Sequence, residues 1–110
     1  MAYKVIIMPP AQHRLDMYVD YTIRKLQNRQ AAKAILYDAQ MTKKRLSEIA
    51  DSLQFCENSI LRRHGYRKIV FLKHGFIMVY RIVDNKVIVD GMFHELQDYE
   101  AMFVNQMRLK

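Results

Sequence analysis

The chain has 110 residues, of which 18 are lysine or arginine and 11 are aspartate or glutamate, so its formal net charge is +7. A hydrophobic fraction of 51% excludes intrinsic disorder, and a single cysteine excludes a disulfide-stapled scaffold. No apolar run approaches the ~20 residues that a membrane-spanning helix needs, and the length suits one domain over residues 1–110.

The N-terminal segment is predicted to be a strand that leads into a helix. Residues 3–8 are apolar and rich in β-branched side chains, and Pro9-Pro10 follows at a position that suits a first helical turn. From Gln12 onward apolar side chains recur at helical spacing and form one stripe: Leu15, Tyr18, Val19, Ile23 and Leu26.

A second, longer helix follows a short break at residues 28–30. Its apolar stripe consists of Ala32, Ile35, Ala39, Leu46, Ile49 and Leu53. Because the joint between the helices is only a few residues long, they should form an antiparallel hairpin.

The C-terminal half of the chain is predicted to be a meander of strands closed by a helix. Residues 55–64 show no period and read as a loop that ends at Gly65. Strands are predicted over residues 66–73, 76–83 and 86–93, with two-residue turns at His74-Gly75 and Asp84-Asn85, and a final helix over residues 98–110. The resulting order, β-α-α-β-β-β-α, indicates an α+β fold whose mainly antiparallel sheet packs on the helical hairpin.

The segment that contains the first two strands of the predicted meander carries an unusual concentration of positive charge. Between Ile60 and Val83 there is no acidic residue, while the basic side chains are Arg62, Arg63, His64, Arg67, Lys68, Lys73, His74 and Arg81. Fixed positive charge on a stiff sheet suits a polyanion, and nucleic acid is the commonest one in cells. A solvated surface without a partner is the alternative interpretation.

Metal and cofactor chemistry is not expected. The four histidines lack ligand spacing, one cysteine cannot make a structural zinc site, and three glycines cannot form a phosphate-binding loop. Cys56 is interpreted as a free thiol, and no secretory signal is visible, so a cytoplasmic protein with no membrane partner is expected.

Arg67 and Arg81 each stand inside an otherwise apolar strand, where a guanidinium must find water, a carboxylate or a ligand. We expect the two guanidinium groups to converge on one phosphate-sized hollow, because guanidinium geometry favours phosphate. The structural alternative is an ion pair with Asp90 or Glu95. His94, at the end of the last strand, is a candidate general acid or base, or else a structural residue.

The ordered set of strand motifs resembles the RelE/ParE superfamily, the toxins of type II toxin–antitoxin (plasmid stabilisation) modules. The motifs are Gly65-Tyr66-Arg67-Lys68, the strand that ends Val79-Tyr80-Arg81, then His94, and finally Asp98-Tyr99-Glu100. The resemblance spans essentially the whole chain, and it rests on the order and spacing of these motifs together.

This resemblance implies one of two activities and a common partner. RelE-like members are metal-independent endoribonucleases that cut messenger RNA on the ribosome, whereas ParE-like members inhibit DNA gyrase without catalysis of their own. Both kinds are neutralised by a cognate antitoxin protein.

Under the ribonuclease hypothesis, the resemblance assigns catalytic roles to Arg67, Arg81 and His94. The candidate substrate-binding residues are Arg62, Arg63, Lys68, Lys73 and Tyr99. Two features depart from the family pattern: Glu95-Leu96-Gln97 follows the histidine, and Gly91 stands where an arginine is common. The first hypothesis is therefore a ribosome-associated mRNA endoribonuclease. Because the departures weaken the charge at the strand exit, a ParE-like gyrase inhibitor is kept as the alternative, and a protein that has the fold but has lost activity is the third.

Overall fold

The computed structural model describes residues 2–108 and contains a four-stranded sheet with helices on both faces. The predicted β-α-α-β-β-β-α order is confirmed, with one additional short helix. The elements are β1 (Lys4–Ile7), α1 (Pro9–Arg24), α2 (Arg29–Ile49), α3 (Ser59–Arg63), β2 (Arg67–Val70), β3 (Phe76–Val83), β4 (Lys86–His94) and α4 (Tyr99–Arg108).

The sheet is mixed but mainly antiparallel. Its strand order is β1-β4-β3-β2, in which β1 runs parallel to β4 while β3 is antiparallel to both of its neighbours. Strand β2 therefore forms one edge of the sheet. None of the described helices is long and apolar enough to cross a membrane.

Local sequence determines where the helices begin. Pro9 and Pro10 occupy the first positions of α1, as predicted, and the side chain of Asn28 caps α2 by accepting a hydrogen bond from the Ala31 amide at 2.9 Å. Helix α3 lies in the segment predicted to be a loop, and it begins where the Asn58 side chain accepts bonds from the Ile60 and Leu61 amides. The predicted second helix is also shorter than expected, because α2 ends at Ile49 and residues 50–52 form a 3₁₀ turn.

Alternation along β3 buries both faces of the sheet. Met78 and Tyr80 face α1 and α2 on what we call the hairpin side, whereas Ile77 and Val79 face α3 and α4 on what we call the α4 side. Leu15 and Leu46 complete the hairpin-side core. The α4-side core also contains Leu61, Phe93, Phe103 and the fully buried Cys56.

Burial, followed by the charge of Glu100, raises the pKa of the Cys56 thiol to about 11, so this free cysteine stays protonated and unreactive.

The two strand connections differ from one another. Asp84-Asn85 forms the predicted two-residue turn, although the left-handed residue is Asp84 (φ 57°) and not Asn85. Strand β2, in contrast, ends at Val70 instead of residue 73, so five residues connect it to β3.

The last predicted helix begins at Tyr99, and its final two predicted residues, 109 and 110, lie outside the described residues.

The long connection between β2 and β3 is fixed to α2 by a buried carboxylate. The Asp38 side chain accepts hydrogen bonds from the backbone amides of Lys73 (3.0 Å) and His74 (2.9 Å), and from His74 Nδ1 (2.8 Å). Burial alone would raise the pKa of Asp38, but the hydrogen bonds from His74 and Lys73 outweigh it, so the pKa lies below the ordinary value.

We expect the Asp38→Asn variant to lose about 1–3 kcal/mol of unfolding free energy at pH 7, because the amide is a weaker acceptor for three donors. Since the pKa of Asp38 is lowered on folding, its stabilisation is present above the ordinary value of 3.8 and is lost as the pH falls through the lowered value. Urea unfolding of both proteins should therefore give a gap that narrows below about pH 4. Asp20→Asn is the matched control, because the pair between Asp20 and Arg24 is exposed. Equal stability of the Asp38→Asn and parent proteins at pH 7 would contradict this role.

Candidate functional site

Arg67 and Arg81 lie on neighbouring strands but point to opposite sides of the sheet. Arg67 on β2 is paired with Tyr80 on β3, and residues that stand opposite each other share a face. Arg81 follows Tyr80 directly in the same strand, so its side chain leaves from the other face. The expectation that the two guanidinium groups converge on one hollow is wrong.

On the hairpin side, Arg67 is held by backbone carbonyls and an aromatic ring. Its Nη1 atom donates to the carbonyl of Leu53 at 2.5 Å and to that of Asp51 at 3.2 Å. Its Cζ atom lies 3.9 Å from the centre of the Phe55 ring. Arg67 therefore attaches the segment that follows α2 to the sheet, which is a structural role.

On the α4 side, Arg81 is part of a hydrogen-bonded triad with Asp90 and Tyr66. The Oδ2 atom of Asp90 accepts from Arg81 Nε at 3.0 Å and from the Tyr66 hydroxyl at 2.8 Å. The hydrogen bond to Asp90 raises the pKa of Arg81 despite partial burial, while burial and then the bond to Asp90 raise the pKa of Tyr66 to about 12. The ion pair with Asp90, which was the structural alternative from the sequence, is therefore present.

A β-bulge in β4 places Asp90 in this triad. Val79 of β3 is paired with Gly91, but the next residue, Tyr80, is paired with Val89, so Asp90 is left without a cross-strand partner. The extra residue breaks the alternation of β4, and His94 is consequently not in phase with Asp90 as the regular period would have it. A glycine inside an apolar strand is the sequence signal that marks such a bulge.

The same bulge explains why glycine occupies position 91. A Cβ atom there would lie 2.7 Å from a ring carbon of Phe93 and 3.1 Å from one of Phe103. The space that an arginine side chain would need is filled by these two rings, so the α4 side has no cation at this position.

His94 lies far along β4 from Arg81 and on the hairpin side. Arg81 is paired with Ile88, and His94 is the sixth residue after Ile88, which corresponds to about 20 Å of strand. The His94 ring packs edge-on against Phe76 with centroids 5.2 Å apart, and its Nδ1 atom accepts from the Leu96 amide at 3.1 Å. The contacts of His94 are those of a residue that orders the turn after β4.

The candidate substrate-binding residues are distributed over several surfaces. Lys68 and Tyr99 are brought together, with the Lys68 ammonium 5.5 Å from the centre of the Tyr99 ring. Arg62 and Arg63 are exposed on α3, where Arg62 Nε also donates to the Cys56 carbonyl at 3.3 Å. Lys73 is exposed on the connection between β2 and β3. These five residues do not form one pocket with His94, Arg67 and Arg81.

Sequence reasoning missed two carboxylates that organise this part of the molecule. Asp38 stands on the buried stripe of α2 between Ile35 and Ala39, and this position was the signal for a buried acidic residue. Glu100 accepts from the Asn58 amide at 2.7 Å and so links α3 to α4. Residues 2–108 contain no group of three or more side chains that could hold a metal ion.

We expect the Asp90→Asn variant to unfold with about 1–3 kcal/mol less free energy than the parent protein, because the buried acceptor of Tyr66 and Arg81 loses its charge. Urea titration at pH 7 measures the difference. Asp84→Asn makes the same chemical change at an exposed turn residue and should leave stability unchanged within about 0.5 kcal/mol. Equal effects of the two substitutions would show that the triad does not stabilise the fold.

Comparison with known proteins supports the fold assignment. No protein-family model and no curated protein matches the sequence. Among solved structures, a chain of the chromosomal ParDE TA system from P. aeruginosa superposes with a TM-score of 0.70 at 15% sequence identity. The match covers 84% of this chain and 96% of that one. The chain therefore has the RelE/ParE-like fold that the sequence resemblance predicted.

Proposed function

We propose that this chain is the toxin of a type II toxin–antitoxin module and that it acts by binding its target, in the manner of ParE-like proteins, without cutting RNA. The proposed target is DNA gyrase, and the proposed partner is an antitoxin that neutralises the toxin. One observation carries the choice between the two activities: Arg67, Arg81 and His94 lie in three separate environments.

Metal-independent RNA cleavage sets a demanding geometric requirement. A base must remove the 2′-hydroxyl proton, cations must contact the phosphate as charge develops on it, and an acid must protonate the leaving 5′-oxygen. These groups must all reach one phosphate, so they have to lie within hydrogen-bonding distance of a common point.

The described side chains do not meet this requirement. Arg67 donates to carbonyls on the hairpin side, Arg81 donates to Asp90 on the α4 side, and His94 lies ~20 Å along β4 from the pairing partner of Arg81. Because the arginines are separated by the sheet itself, a side-chain rotation cannot bring them together. This arrangement favours a protein that works through surface contacts.

The similarity to a chain of a ParDE system supports the assignment to a toxin–antitoxin module, since ParDE is a toxin–antitoxin system. The positive net charge of +7 suits a partner that carries acidic surface, as an antitoxin or an enzyme that handles DNA would. Exposed cations on α3, Arg62 and Arg63, are available for such contacts.

The test is induced expression in a bacterial host, with three measurements in parallel: growth, integrity of messenger RNA, and the DNA-damage response. We expect growth arrest and a DNA-damage response while messages stay intact. The purified protein should inhibit supercoiling by DNA gyrase and should not cut RNA on translating ribosomes.

A substitution at His94 separates the two activities sharply. In His94→Asn the amide oxygen can replace Nδ1 as the acceptor for the Leu96 amide, but the acid–base group is lost. This variant should arrest growth as strongly as the parent, as should the control His13→Asn on the exposed face of α1. Cut messages that disappear in His94→Asn alone would refute the binding hypothesis and establish the ribonuclease.

A further inference from the structure

Strand β2 has one side of its backbone paired and the other side turned outward. The Phe71 amide donates to the Phe76 carbonyl at 2.9 Å, and in this antiparallel ladder the paired groups belong to alternate residues. The backbone groups of Lys68 and Val70 therefore point away from β3, along the open edge of the sheet, and Leu72 lies just beyond it, in the connection that follows β2.

Only the first part of this edge is covered by the chain itself. The Cys56 amide donates to the Tyr66 carbonyl at 3.0 Å, and the Lys68 amide donates to the Gln54 carbonyl at 3.4 Å. Beyond Lys68 the cover ends. Within residues 2–108 the amides of Val70 and Leu72 have no hydrogen-bond partner, and the Val70 carbonyl accepts only a long bond of 3.4 Å from Arg45 Nη1.

The open part of the edge also exposes large apolar side chains. The exposed fraction is 42% for Val70 and 62% for Leu72, and Tyr37 of α2 is 60% exposed next to Leu72. An extended polypeptide can bind as a further strand to a sheet edge that has unpaired amides and exposed apolar side chains.

The charge around the open edge selects the composition of such a polypeptide. A surface hollow of about 350 Å³ lies between β2 and the end of α2, and Arg45, Gln54, Lys68 and Val70 contribute to its lining, which contains no carboxylate. The ammonium of Lys68 lies on the other face of the same edge, against Tyr99. A strand added here would find a cation on each of its faces.

We propose that the open edge of β2 at Lys68 and Val70, together with Leu72 just beyond it, binds an extended acidic segment of a partner protein as a fifth strand of the sheet. The amides of Val70 and Leu72 donate hydrogen bonds to backbone carbonyls of the partner, and carboxylates of the partner contact Arg45 or Lys68. The proposal does not require DNA gyrase to be the target of this chain. Binding at the edge of β2 can therefore be tested on the isolated chain.

Two other occupants fit the edge less well. A second copy of this chain, paired through the same edge, would bring Arg45 and Lys68 of both copies close together, and like charges repel. A nucleic acid would meet the cations but would leave the strand amides and the apolar side chains of Val70 and Leu72 unused.

The probe is a capped hexapeptide of alternating glutamate and valine, titrated into the full chain and followed by calorimetry and amide hydrogen exchange. We expect binding that weakens with added salt and slower exchange at Val70 and Leu72. Two peptide controls leave the protein unchanged: glutamine in place of glutamate, and N-methylation of the amides on one edge. Each should weaken binding at least about fivefold, because charge or strand pairing is lost.

Variants of the protein test the same contacts from the other side. Val70→Pro removes one outward amide without breaking the ladder to β3, whereas Val70→Thr keeps that amide, so only the proline variant should bind about fivefold or more weakly. The double variant Arg45→Gln/Lys68→Gln should lose a similar factor. Lys33→Gln, on the exposed face of α2 outside the hollow, is the matched charge control.

Several outcomes would overturn the proposal. One is equal affinity of the parent protein for the N-methylated and unmodified peptides. This comparison does not depend on whether a variant of the protein folds. Another is self-association of the chain, detected by sedimentation and abolished by Val70→Pro. A third is tight, salt-sensitive binding of a single-stranded RNA oligonucleotide that protects Val70 and Leu72 from exchange while the peptide does not.

Discussion

The burial of both faces of the sheet is the constraint on which the rest of this structure depends. Strand β3 is buried from Phe76 to Tyr80, because the helical hairpin covers one face and α4 with α3 covers the other. A polar side chain within such a strand must find its partner inside the protein. Arg81 does so through Asp90, and Tyr80 does so through the Ala50 carbonyl, which its hydroxyl reaches at 2.7 Å.

The order and type of the main elements could be predicted because they follow from local periodicity. The stripes from Leu15 and from Ala32 place α1 and α2, and Pro9 and Asn28 act at their first turns. Strand β2 could not be delimited in this way. Its apolar sequence continues to Leu72, but the Lys73 and His74 amides bond to Asp38, some 35 residues away in the chain, instead of to β3. Long-range contacts of this kind leave no local pattern.

The candidate site was less predictable than the fold for two physical reasons. Both faces of β3 are apolar, so alternation alone cannot say which face Arg81 shares with the helices. The bulge at Asp90 then changes the phase of β4 and detaches His94 from that residue. The motif positions were located correctly along the strands, while their grouping in space depended on register and on one inserted residue.

The basic stretch from Ile60 to Val83 illustrates why charges that are close in sequence do not form one charged surface. Alternation sends Arg67 to the hairpin side and Lys68 with Arg81 to the α4 side, and carbonyls, a ring or a carboxylate engage each of them. A polyanion needs several free cations on one face, as along a groove that follows a phosphate backbone. Cations distributed on both faces of an edge suit a narrower partner, since a single added strand presents side chains to both faces at once.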